Sequence, residues 1–72
     1  MKGVHPFSKK VGRKLKEERE RRGLTQERLA LKAKVTRNFI SMIECGESNV
    51  TISKIHDIAG AMGMEAWELL KL

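Results

Sequence analysis

Two threonines, Thr25 and Thr36, constrain this 72-residue chain more than any other feature. Each stands just before a run with helical spacing. Each is also a residue type that caps a helix, its hydroxyl accepting a hydrogen bond from a first-turn backbone N–H. Ten residues separate them. That interval holds about two to three turns of helix and a turn of roughly three to four residues. Residues 25–46, TQERLALKAKVTRNFISMIECG, are therefore expected to form two short helices joined by a tight turn.

The rest of the chain reads in the same period. Apolar residues recur at three- and four-residue spacing, and the β-branched residues do not alternate, so five helices and no sheet are expected. Helix 1 starts at Pro6 or Lys9, with Ser8 as a rival cap, and runs to Arg22. Phe7, Val11 and Leu15 form its apolar stripe, and Gly23 stops it. Helix 2 turns Leu29, Ala30 and Ala33 inward, and helix 3 turns Phe39, Ile40 and Ile43 inward before Gly46 ends it. Thr51 caps helix 4, whose buried side is Ile52, Ile55, Ile58, Ala59 and Met62 up to Gly63. Helix 5 is short, from Glu65 to Leu70. The fold class is all-α, a compact five-helix bundle. A chain of this length makes one domain, 1–72, burying about 60% of its unfolded surface.

Charge narrows the partner. The net charge is +6, but residues 1–37 carry +9 and residues 38–72 carry −3. A basic half of this kind suits a polyanion. With aromatic content at 4% and no Tyr, the chain lacks the stacking platforms of single-strand and RNA modules. No apolar run approaches a membrane span, and MKGVHPF has no apolar segment of the secretory type. Cys45 is the lone cysteine, so no intrachain disulfide forms and a reducing cytoplasm is the expected compartment. His5, His56 and Cys45 lack ligand spacing, and no catalytic grouping or phosphate-cradling loop occurs. No metal, cofactor, small-molecule effector or enzymatic activity is expected.

On the second helix of the 25–46 unit, Arg37, Asn38, Ser41 and Met42 lie opposite Ile40 and Ile43. Placed in a major groove, Arg can donate two bonds to guanine and Asn can pair with adenine. Ser can bond either, and Met can touch a thymine methyl. These four are the expected base readers of double-stranded DNA. The plain alternative is a polar, solvent-facing side of a small bundle.

From Val11 to Leu70 the chain resembles the lambda-repressor/Cro-type (XRE) helix-turn-helix family. The resemblance rests on Val11-Gly12, Leu15, Arg19 and Gly23-Leu24-Thr25-Gln26, then Leu29-Ala30, Val35-Thr36-Arg37, Ile40-Ser41, Ile43-Glu44 and Gly46. It continues through Thr51-Ile52, Ile55, Ile58-Ala59, Met62-Gly63-Met64 and Leu69-Leu70, about 60 of 72 residues without a gap. The family implies that Gln26 contacts the DNA backbone and steadies the recognition helix. It implies further backbone contacts from Thr36, Ser48 and Asn49, and a structural ion pair between Arg19 and Glu44. It also implies a homodimer on a near-palindromic operator. Residues 51–70 are expected to serve as core and dimerisation segment, with Trp67, Leu70 and Leu72, more apolar than a monomer's last turn needs, at the interface; the alternative is that Trp67 simply caps the core.

Four positions depart from the family pattern. Lys34 stands where Gly is common in the turn: it either accepts a strained positive φ, adds a phosphate contact, or marks a different turn. Glu18 replaces a frequent Leu, so helix 1 is expected to pack less fully. Val50 replaces a frequent Pro, and Glu65 is a poor cap for helix 5. Among small regulators of this type, the restriction–modification controllers are the nearest in kind to the Asn49-Val50-Thr51-Ile52 approach to helix 4. A chain of this length is expected to carry no separate effector or protease domain. An antitoxin-like or protein-interaction module on the same fold is the alternative, disfavoured by the charge of the first half.

Overall fold

The computed structural model describes residues 6–47 and 50–71. Five helices account for them: α1 Pro6–Arg21, α2 Gln26–Ala33, α3 Arg37–Glu44, α4 Ile52–Ala61 and α5 Ala66–Leu69, with no strand among the described residues. Three threonines start three of them in the same way. The Thr25 hydroxyl accepts from the Arg28 N–H at 3.0 Å, Thr36 from Phe39 at 3.0 Å and Thr51 from Lys54 at 3.1 Å. Gly23, Gly46 and Gly63 follow α1, α3 and α4 with positive φ. At the α5 start Glu65 stands at the cap position, and its N–H donates to the Glu68 carboxylate at 2.8 Å, a cap bond supplied from three residues ahead.

Leu15, Leu29, Ile40, Ile43, Ile58 and Leu69 are the large side chains at the centre of the core. α3 packs on α1 and α2, α4 on α2 and α5, and α5 closes back onto α1. The α1–α3 approach depends on one missing side chain. A Cβ on Gly12 would stand inside contact with the Ile43 carbonyl oxygen and 2.9 Å from that of Glu44. Backbone therefore packs directly on backbone at the end of α3.

Two apolar residues expected on buried stripes are not buried. Phe7 is 61% exposed and Ile52 68% exposed. Both sit in the first turn of their helices, and both edge one shallow groove.

Glu18 is also a correction. Instead of loosening helix 1, it is buried, at 5% exposure, inside a ring of cations. Arg22 Nη1 donates to its carboxylate at 2.5 Å, with Lys14 at 3.4 Å and Arg21 at 3.5 Å. Arg22 also donates through Nε to the Met62 carbonyl at 2.9 Å, tying α1 to the end of α4. A leucine could fill the same space but could not hold Arg22 in that position. The hydrogen bond from Arg22, helped by the charges of Arg21 and Lys14, holds the Glu18 carboxyl below its ordinary value of 4.5 against the opposing effect of burial.

The turn between α2 and α3 settles the question raised by Lys34. Its φ is 60° and ψ 42°, the left-handed conformation that a Gly would adopt freely. The Val35 N–H reaches back to the Ala30 carbonyl at 3.0 Å, the 6→1 bond of a Schellman close. The family turn is kept, and Lys34 accepts the strain.

Three stability outcomes follow. Gly12→Ala should destabilise by about 1–3 kcal/mol or more through overpacking, seen as a lower thermal midpoint. Lys34→Gly should stabilise by up to about 1 kcal/mol, the left-handed penalty less the added chain entropy. Because the folded Glu18 carboxyl titrates below 4.5, its contribution is present above that pH and lost as pH falls through the folded value. Glu18→Gln should thus cost stability at pH 7, and its deficit against the parent should shrink in acid. A deficit constant with pH would contradict this origin.

Candidate nucleic-acid interface

The polar face of α3 is built by its cap and its core side together. Ile40 and Ile43 are buried, which fixes the rotation of the helix. Arg37 and Asn38 then stand exposed in its first turn, Ser41 is half-buried at the edge, and Met42 is 36% exposed. Asn38 Nδ2 lies 3.5 Å from Met42 Sδ, so these two side chains share one surface. Thr36 is exposed at the start of the helix with its hydroxyl occupied by the Phe39 N–H, and Lys34 is exposed in the turn just before. Ser48 and Asn49 lie outside the described residues.

Behind this face sits a polar brace. Arg19 Nε donates to Glu44 Oε2 at 2.7 Å and Nη2 to Oε1 at 3.0 Å, a two-pronged pair. Arg19 Nη1 also donates to the Leu24 carbonyl at 2.8 Å, in the loop leading to α2. The side chains are 10% and 4% exposed, so water does little to weaken the pair. Its hydrogen bonds to the Glu44 carboxylate raise the Arg19 pKa above its ordinary value despite partial burial.

Gln26 completes the brace. Its Nε2 donates to Glu44 Oε1 at 3.0 Å. Glu44 therefore gathers α1, the first residue of α2 and the last residue of α3. One amide hydrogen of Gln26 is used in this bond, leaving the second as a donor. Sequence reasoning did not find the Gln26–Glu44 bond, because its partners stand 18 residues apart with no periodic signal between them.

Trp67 is 61% exposed on α5, and Leu70 is half-buried against the core; Leu72 lies outside the described residues. Cys45 is exposed at the end of α3. Among the described residues no three His, Cys, Asp or Glu side chains gather as a metal site, and no helix is long and apolar enough to cross a membrane.

Comparison with known proteins identifies the family of this fold. The family model described as Helix-turn-helix (HTH_3) matches residues 15–66. The chain belongs to this XRE-type helix-turn-helix family of DNA-binding transcriptional regulators. It is 38% identical over 55 residues to the immunity repressor protein of Bacillus phage phi105, covering 76% of this chain and 38% of that protein, so it spans about two fifths of that relative's length. Its fold superposes on the restriction-modification controller protein C.AhdI from Aeromonas hydrophila with a TM-score of 0.88 and 34% identity, over 90% of this chain and 98% of that one. A second controller protein, C.Esp1396I, matches with a TM-score of 0.83 and 32% identity, over 92% of this chain and 88% of the other.

Removing one partner of the brace leaves a buried charge unmatched. Arg19→Ala or Glu44→Ala should therefore cost about 3 kcal/mol or more. Arg19→Lys keeps the charge but loses the fork, and should fall between parent and alanine variant in chemical denaturation. A lysine variant as stable as the parent would show that the two-pronged geometry contributes nothing.

Proposed function

We propose that this protein is a sequence-specific transcriptional regulator that binds a near-palindromic operator as a homodimer, with α3 in the major groove. The observation that carries the reading is the α3 face of Arg37, Asn38, Ser41 and Met42 standing on the Arg19–Glu44–Gln26 brace. Arg37 reads guanine, Asn38 adenine, Ser41 either, and Met42 a thymine methyl. Gln26 gives its free amide hydrogen to a phosphate, and Lys34, Thr36, Ser48 and Asn49 clamp the backbone on either side of the helix. Lys34 thus has a reason to stand in a strained position: a cation in the turn lies beside the strand that α3 straddles.

A body 32 Å in its longest dimension covers one half-site, so a second copy supplies the other recognition helix about 34 Å along one DNA face. Trp67, Leu70 and Leu72 form the pairing surface. The relatives' names, an immunity repressor and two restriction-modification controllers, favour a regulatory role here. The protein acts by binding alone, in the cytoplasm, without catalysis, cofactor or small-molecule effector.

Selection from a random DNA pool should return an inverted repeat whose half-sites are one helical turn apart; an unrepeated motif would contradict the paired reading. On that operator Arg37→Ala should relax base preference at one position, by about 1–3 kcal/mol. Gln26→Ala and Lys34→Ala should weaken all sequences alike, and Lys34→Ala should reduce the salt slope by about 0.9. Anisotropy titrations across salt concentrations check all three. Binding indifferent to salt would overturn the phosphate assignments.

A further inference from the structure

The first half of the chain carries more positive charge than the α3 face uses. That face takes Lys34 and Arg37, while Arg19 and Arg22 are held by the carboxylates of Glu44 and Glu18. A separate group of cations lies along α1. Lys10, Arg13 and Lys14, together with Glu17 and with Lys71 from the other end of the chain, line a cleft of about 260 Å3. Lys14 leans on Glu18 at 3.4 Å. Lys10, Arg13 and Lys71 are exposed, and among the described residues none of the three stands in an ion pair.

This cleft faces away from α3. Gly12 and Arg19 mark the side of α1 that meets α3, through the Ile43 and Glu44 carbonyls and the Glu44 carboxylate. Lys10 and Lys14 each stand two residues from Gly12, which is about 200° round a helix of about 3.6 residues per turn. A duplex seated on α3 therefore leaves the cleft exposed. The body is 21 Å across at its narrowest, more than twice the screening length of about 8 Å at physiological salt. The two cationic surfaces thus act on separate partners.

We propose that the α1 cleft binds the phosphate backbone of a second DNA segment, so that one protein holds duplexes on two opposite sides. The inference rests on the placing of the first duplex against α3. Four cations against one carboxylate leave the lining at +3, which selects a polyanion. The absence of any apolar lining residue selects which kind. Interfaces between proteins are centred on aromatic or apolar anchors. Contacts to a DNA backbone need no such anchor and are made by polar and cationic side chains.

The test fixes selected operator on beads, loads it with protein, washes away the excess and offers a fluorescent duplex of unrelated sequence. The parent should retain this second duplex. With about three phosphates engaged, by Lys10, Arg13 and Lys71, its retention should weaken about fortyfold between roughly 50 and 200 mM salt. Lys10→Gln combined with Arg13→Gln should reduce the salt slope of retention by about 1.8, and Lys71→Gln alone by about 0.9. Both variants change exposed residues, so helix content by circular dichroism should be intact and operator affinity should hold within about twofold at physiological salt. An intact operator complex that retains no second duplex would overturn the proposal. So would variants that retain it like the parent, since the second duplex would then sit on the α3 of another copy. Capture of fluorescent polyglutamate in preference to the duplex would assign the cleft to an acidic protein and would also overturn it. Failure of the parent to bind operator at all would overturn the α3 reading, and the two-sided arrangement with it.

Discussion

The Glu44 carboxylate is the point on which the recognition surface depends. It accepts from Arg19 of α1 and Gln26 of α2 while standing at the last turn of α3. Short helices have little stability of their own, and α2 and α3 each have only eight residues. Their mutual angle must therefore come from tertiary contacts. Apolar packing through Ile40 and Ile43 fixes how α3 rotates, but apolar contacts are not directional. A forked ion pair with a third donor is directional, and it fixes where the end of α3 lies relative to α1.

Two backbone features make that brace possible. Gly12 lets α1 approach the carbonyls of Ile43 and Glu44, which brings Arg19, two turns further along α1, within reach of the carboxylate. Lys34 holds the left-handed turn that swings α3 back against α2. The first removes a side chain to gain proximity. The second keeps a side chain at the expense of backbone strain.

Local rules made much of the fold legible. Thr25, Thr36 and Thr51 mark helix starts by chemistry that operates within three residues, and the apolar spacing of α2 and α3 identifies their buried faces. Nonlocal facts escaped. Periodicity says which face Phe7 and Ile52 share, but not whether another element reaches far enough to cover them. Glu18 looked like a packing defect because its partners matter more than its own polarity. The signal was available, since Lys14, Arg21 and Arg22 stand at helical neighbour positions around it. Family resemblance singled out Gln26 as an expected backbone contact, whereas its bond to Glu44 needed the fold.

The central claim is that the brace aims α3 at base edges. The most direct measurement is the affinity of Glu44→Gln for selected operator and for unrelated duplex at one salt concentration, with helix content verified by circular dichroism. The account predicts that operator affinity falls by about tenfold or more, while binding to unrelated duplex holds or rises because a negative charge has been removed. Equal effects on both DNAs, or an unchanged operator affinity in the folded variant, would contradict it.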